Sequence, residues 1–152
     1  MYRVEMSLIN ELSEYACKQI ESLADTVPEL RDSMTAATLK QRIQNRQMLL
    51  ILSFVEGELA GFKLGYALSN DVFYSWIGGI SQDFRQLGLA RTMLLRQEQW
   101  ARENRFTLTQ VKTQNCFPAM LTLLVKQGYQ VIELNKSMNS VAEHKFLLEK
   151  VL

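Results

Sequence analysis

Histidine occurs once in this chain of 152 residues, and cysteine and proline twice each. Each shortage closes a class of function. Cys17 and Cys116 are too few for a disulfide framework and fit no zinc spacing, which points to a reducing compartment and against a bridge between them. The lone His144, with no carboxylate cluster at ligand spacing, offers no metal site. An excess of one charge is missing too: 17 lysines and arginines face 16 aspartates and glutamates, for a net charge of +1. That balance gives no general field for nucleic acid or a membrane, so any positive patch is local. No apolar run approaches the roughly 20 residues of a membrane helix, and Glu5 and Glu11 interrupt the place a signal-peptide core would occupy. The expectation is a cytoplasmic protein without nucleic-acid or membrane partners.

Repeats, low-complexity tracts and Pro/Gly-rich linkers are also lacking, so residues 1–152 read as one domain, large enough to bury about two thirds of its unfolded surface. Hydrophobic periodicity supplies the elements. Residues 2–7 predict a short strand, and Asn10 a helix cap, followed by Leu12, Tyr15, Ala16, Ile20, Leu23 and Ala24 on one face until Pro28. A second helix is expected over Thr35 to Arg46, with Ala37, Leu39 and Ile43 partly buried. Met48–Val55 and Leu59–Ser69 read as antiparallel strands about Glu56-Gly57-Glu58, and Val72–Ile80 as the next strand. Within it, Gly78-Gly79 predicts a bulge or a close approach of ligand to backbone. A helix after Gly88 should bury Leu89, Met93, Leu94, Trp100 and Ala101, expose Arg96, Glu98, Arg102 and Glu103, and end at Asn104. Thr107–Thr113 is a strand, Phe117–Gln127 a helix, and Tyr129–Leu134 and Lys145–Leu152 close the sheet. The order βααβββαβαββ is a mixed α/β layout.

The most informative stretch is Arg85-Gln86-Leu87-Gly88-Leu89-Ala90-Arg91, a turn between a strand and an amphipathic helix. Unpaired N–H groups and the positive end of a helix dipole converge there on one spot, which favours an anion. Gly88 allows a crowded or left-handed backbone, Ala90 keeps the first turn slim, and Arg85 and Arg91 add charge. A pyrophosphate fits. A Walker loop would need Gly-Lys-Ser/Thr, and a dinucleotide fingerprint three glycines with a later acid. Neither is present.

The segment resembles the Q/R-x-x-G-x-G/A signature of the GNAT superfamily of acetyl-CoA-dependent N-acetyltransferases. Downstream, Asn115 to Tyr129, with a strand end, a short helix and Gly128-Tyr129, is similar to that superfamily's next block. The two blocks cover residues 72 to 135, and the N-terminal half agrees in layout. The resemblance implies an α/β GNAT fold: a central, twisted, mixed and mostly antiparallel sheet flanked by about four helices. It also implies acetyl-CoA as co-substrate, no metal, and direct transfer in a ternary complex to a primary amine, with a small metabolite favoured as acceptor. A peptide or protein amine, or a non-catalytic acyl-CoA sensor, are the alternatives, and a homodimer is compatible with all three.

By the same resemblance, backbone amides of Leu87, Gly88, Leu89, Ala90 and Arg91 hold the pyrophosphate, with Arg85 and Arg91 neutralising its charge and Gln86 also among the cofactor-binding residues. Gly78, Gly79 and Ile80 would pair with the pantetheine arm like an added strand, and a Gly78 N–H would steady the oxyanion. Asn115 would contact pantetheine or order the strand end, though an Asn there also satisfies turns. Lys126 would reach the 3′-phosphate or stand exposed. Many relatives carry a tyrosine as acid four residues before the second glycine; Leu124 stands there instead. Tyr74, Ser75, Cys116 and Tyr129 remain as polar candidates. Tyr74 leads, because it falls where some relatives have a general-base carboxylate. A phenol of pKa about 10 is a poor base, so Tyr74 holding a water, or simply packing, competes with that role. Phe62, Phe73, Tyr66 and Trp76 read as sheet aromatics, one or two of them able to line an acceptor pocket, and His144 as a solvated surface residue.

Overall fold

The computed structural model describes residues 1–152. Strands β1 (Val4–Ile9), β2 (Met48–Val55), β3 (Glu58–Ala67), β4 (Val72–Ile80), β5 (Leu108–Gln114), β6 (Gln130–Asn135) and β7 (Lys145–Val151) form one sheet in the order β1-β2-β3-β4-β5-β7-β6. Helices α1 (Glu14–Ala24) and α2 (Ala36–Ile43) cover one face of its first half. Helix α3 (Leu89–Glu103) lies on the other face, where α4 (Pro118–Lys126) continues the layer over the second half. The element order is the expected one, and every neighbouring pair is antiparallel except β4 with β5.

Strand alternation builds two cores. Met48, Leu50, Leu52, Phe62, Leu64, Tyr66 and Tyr74 pack against Ala16, Cys17, Ile20, Leu23, Leu39 and Ile43 of α1 and α2. On the opposite face, Leu49, Ile51 and Phe73 meet Met93, Ala101 and Phe106, with Leu94, Val111, Leu124, Tyr129 and Leu148 beyond them. β2 and β3 are buried on both faces, which is why their sequences run apolar without a clear period of two.

Several local expectations need correction. Ser13, not Asn10, caps α1: its Oγ accepts the Ala16 N–H at 3.1 Å, because β1 extends to Ile9 and moves the helix start downstream. Tyr15 falls in the first turn after that cap and is exposed, and Ala37 of α2 is exposed beside the half-buried Ala36. Gly78 and Gly79 pair in register with Lys63 and Phe62; the bulged residue of β4 is Trp76, between Gly65↔Ser75 and Leu64↔Ile77. Glu98 does not face water. Its buried carboxylate accepts the Tyr129 hydroxyl and the Lys150 ammonium, both at 2.8 Å, and Arg102 lies 3.7 Å away. Arg96 is half-buried as well.

Candidate active site

Strands β4 and β5 run side by side only where Val72–Ser75 meet Leu108–Val111. Beyond Ser75, β4 continues to Ile80 paired with β3 alone; beyond Val111, β5 continues to Gln114 paired with β7 alone. The two strands therefore part. Each presents an unpaired edge to the gap, which an extended chain can fill with main-chain hydrogen bonds. The Trp76 bulge sits at the apex and adds local twist there.

Two glycines fix the β4 wall of this gap. A Cβ on Gly78 would stand 2.8 Å from the Phe62 carbonyl oxygen of β3, so no side chain fits without moving the strand. A Cβ on Gly79 would come within 3.1 Å of Val27 and Leu30, which close over the end of β4 from the α1–α2 connection.

β4 leads through Ser81 and a 3₁₀ turn (Gln82–Phe84) into the glycine loop, so the loop stands at the mouth of the gap. Gln86 and Gly88 both adopt left-handed backbone, with φ of 67° and 76°. The N–H groups of Gln86, Leu87 and Gly88 donate to no protein acceptor. Leu89, Ala90 and Arg91 are the first residues of α3, whose amides an α-helix leaves without intrahelical partners. Six consecutive amides thus stand at the positive end of a fifteen-residue helix, a nest for an anion. Arg91 is exposed and free to contribute. Arg85 turns away: its Nε donates to the Ile80 carbonyl at 3.2 Å and its guanidinium lies 3.9 Å from Glu29, tying the loop to the end of β4 and the segment before α2.

The four polar candidates do not converge. Tyr74 is buried on the α1/α2 face beside Tyr66 and Trp76. Ser75, the next residue, is buried on the α3 face with no partner for its Oγ. Cys116 is exposed beyond the end of β5. Tyr129 is committed to Glu98, and burial together with that carboxylate drives its pKa upward. Burial likewise raises the Tyr74 pKa, reinforced by Tyr66 and only partly opposed by Arg42. Tyr74 therefore stays protonated at neutral pH and can give a proton but not take one. Leu124 is wholly enclosed in the core beneath α4.

Asn115 braces the far wall of the gap. Its Nδ2 donates to the Val141 carbonyl at 3.0 Å and its main-chain N–H to that of His144 at 3.3 Å, while Cys116 N–H reaches Ala142. Its Oδ1 accepts no protein donor and stays available. His144 is half-buried rather than solvated, because its Nδ1 accepts the Ser137 N–H at 3.0 Å. Lys126 ends α4 and is exposed.

Three cations that went unnoticed in the sequence stand at the apex. The Arg42 guanidinium lies 4.9 Å from the Trp76 ring centre and its Nε donates to the Tyr66 hydroxyl at 2.8 Å. Arg46 lies 5.2 Å from the Tyr66 ring centre, and Lys112 of β5 lies 6.0 Å from that of Tyr74. Arg42 lies in the last turn of α2 and Arg46 beyond its end, and only the packing of α2 over β3 and β4 brings them towards Lys112. Arg46 also lines, with Ser69, Asp71 and Asn104, a surface hollow of about 600 Å³ at the other end of β3 and β4, so it stands at the edge of the cluster while Arg42 and Lys112 lie nearer the gap. No group of three or more His, Cys, Asp or Glu side chains is placed to hold a metal ion.

A family model described as acetyltransferase (GNAT) family matches residues 14–144. The chain belongs to the GNAT acetyltransferase family. No curated protein matches it by sequence. Among solved structures it is similar to the ribosomal-protein-S18-alanine N-acetyltransferase of Escherichia coli, at 10% identity and a TM-score of 0.80 over 97% of this chain and 94% of that one. It is also similar to a GNAT family acetyltransferase from Elizabethkingia anophelis with acetyl-CoA bound, at 14% identity and a TM-score of 0.74 over 98% of both chains. The PaiA N-acetyltransferase of Thermoplasma acidophilum, in complex with coenzyme A, gives 14% identity and a TM-score of 0.72 over 97% of this chain and 99% of that one. These likenesses establish a common fold across nearly the whole length. The GNAT chain described here accordingly has the mixed sheet and flanking helices of that family, with the gap and the amide nest adjoining one another.

Proposed function

We propose that the protein is an N-acetyltransferase that moves the acetyl group of acetyl-CoA directly to a primary amine in a ternary complex. The observation that carries this reading is the adjacency of the amide nest at Gln86–Arg91 to the β4–β5 gap, in a chain of the GNAT family. A molecule with an anionic pyrophosphate and a long amide-bearing arm fits both parts at once. The pyrophosphate meets the six amides with Arg91 beside them. The pantetheine arm lies along Gly78–Ile80, with Asn115 Oδ1 opposite. Structures of relatives with acetyl-CoA or coenzyme A bound agree with this choice of ligand.

In the reaction the neutral amine attacks the thioester carbonyl carbon, and a main-chain N–H of Gly78 steadies the oxyanion. The C–S bond then breaks, the amine releases its extra proton to solvent, and the leaving thiolate gains one from a donor that solvent then reprotonates. Tyr74, held protonated by burial, supplies that proton. None of the apex cations has a carboxylate within 4.0 Å, and the ammonium loses its proton to solvent before attack.

Release of free thiol from acetyl-CoA, followed against amino acids, polyamines, amino sugars and short peptides, tests the reading. Acceptor-dependent release whose rate climbs with pH, as the attacking amine loses its proton, is the expected result. Tight acetyl-CoA binding without acceptor-dependent release would replace the enzyme by an acyl-CoA sensor, the reading that the enclosed Leu124 favours.

A further inference from the structure

The apex of the gap carries more positive charge than the protein neutralises. Arg42 and Arg46 come from successive turns of α2 and the chain just beyond it, and Lys112 from the first position of β5 past the parting. All three residues are exposed, and none lies within 4.0 Å of a carboxylate. Being unpaired is common in this chain, where only Arg3, Lys18, Arg85, Arg102 and Lys150 have acidic partners; what sets these three apart is that they gather over one group of aromatic rings. The nearby carboxylate on the same face of the second half-sheet, Glu149, is occupied by the Gln110 Nε2 at 2.9 Å. Tyr66, Tyr74 and Trp76 form an aromatic floor below the cations, with ring centres 5.5 and 6.0 Å apart.

We propose that this cluster selects an acceptor amine that carries a carboxylate, with Arg42 and Lys112 holding the carboxylate over the Tyr74–Trp76 floor. The proposal rests on the N-acetyltransferase reading and names the acceptor class. An Arg fork matches a carboxylate in geometry, and the Trp76 ring 4.9 Å away, with the Tyr66 hydroxyl on Nε, fixes where the Arg42 guanidinium stands. Trp76 and Lys112 are the residues at which the two strands separate, so a carboxylate bound between them places an amine a few atoms away at the start of the gap. The unpaired cations also discriminate. A polyammonium acceptor meets repulsion there, whereas an amino acid brings its own counter-charge. Cations beside a bound amine favour its neutral, attacking form, which suits a site without a carboxylate base.

The test separates the acceptor class from the reaction. N-acetylalanine, N-acetylleucine, N-acetylphenylalanine and N-acetylaspartate, each with its carboxamide, are titrated into the protein saturated with coenzyme A. In parallel, thiol release is measured for the matching free amino acids, their amides and a polyamine. At least one acid should bind tenfold or more tightly than its amide, and that preference should vanish in Arg42→Gln and Lys112→Gln. Arg42→Lys should keep part of it. Acetyl-CoA affinity and melting midpoint should stay within error in Lys112→Gln, which removes an exposed side chain. Equal binding of acids and amides, unchanged by either variant, overturns the carboxylate site, and turnover of uncharged amines or polyamines would then leave the N-acetyltransferase standing without it. Acid-selective binding through Arg42 with no turnover of any amine would uphold the site and sink the reaction.

Discussion

Gly88 unites a left-handed backbone with open space: nothing lies within 4 Å of the position a Cβ would take, yet φ is 76°. A valine there meets no protein atom, and its penalty is backbone strain of about 1–2 kcal/mol. Its branched side chain projects where the amides must approach an anion. Gly88→Val should fold with a somewhat lower melting midpoint and lose at least tenfold in acetyl-CoA affinity by calorimetry; undiminished binding in the folded variant would remove the nest from the proposed site. Lys63 poses the opposite problem, a cation placed inside. It faces α3 from β3, almost wholly buried, and burial lowers its pKa to about 8 despite the attraction of Glu98. Between about pH 8 and its ordinary 10.5 the unfolded chain holds a proton that the folded chain has released, so stability rises with pH across that window. Tyr129 acts the other way above about pH 10, where the unfolded phenol ionises and the folded one does not. Lys63→Met should therefore stabilise the protein at pH 7 by on the order of 3 kcal/mol, with the gain shrinking above pH 8. A pH-independent gain in denaturant melts would show that Lys63 is not charged inside. The turn at Gly88 and the helix after it were legible because their signals are local: a glycine, small neighbours and a helix start. Lys63 was not, since one lysine in an apolar run gives no sign of which face it takes.

At the scale of elements, the decisive feature is a register. Alternation and turn residues placed every strand and helix to within a few residues, because each element's apolar period is written in its own sequence. The bulge at Trp76 is different. It arises where β3 and β4 pair around Gly65, whose Cβ would stand 2.5 Å from the Phe73 ring, and pairing between distant segments leaves no local mark. The glycine pair that suggested a bulge instead keeps β4 close to Phe62 of β3 and to Val27 and Leu30. In the same way, Glu98 looked like one more polar position of an amphipathic helix until Tyr129 and Lys150 were brought to it from other elements. Tyr74 and Trp76 lie on the α1/α2 face beside the parting strands, and the role proposed for Tyr74 rests on that placement. Tyr74→Phe removes a proton donor but little packing, so kcat should fall by about 10- to 100-fold with acetyl-CoA affinity unchanged. Turnover equal to wild type would pass proton delivery to an ordered water.

The molecule as a whole is two half-sheets joined at a short seam. β1 to β4 carry α1 and α2; β5, β7 and β6 carry α4; four residue pairs of β4 and β5 link them. α3 spans the junction, packing on the first half through Met93 and Ala101 and on the second through Leu94, while its Glu98 accepts bonds from Tyr129 and Lys150. The seam is therefore held mainly at one end, and the other end is the gap. A ligand pairing with both free edges supplies the missing ladder and binds only the folded chain, so it stabilises both halves together. Linkage puts this at about 2.7 kcal/mol for a ligand at 100 times its dissociation constant, a rise of several degrees in melting midpoint for a chain of this size. Acetyl-CoA should produce that rise, whereas NAD and ATP, which share a pyrophosphate but lack the pantetheine arm, should not. Hydrogen exchange locates the effect. The amides of Trp76–Ile80 and Lys112–Gln114 that face the gap, and those of Gln86–Arg91, should exchange fast in the free protein and slow markedly with acetyl-CoA, while β1 and β2 change little beyond the global shift. Protection confined to the glycine loop would mean that only the phosphates are held. Protection by ATP equal to that by acetyl-CoA would mean that the gap does not read the arm, and the acyl donor would have to be sought elsewhere.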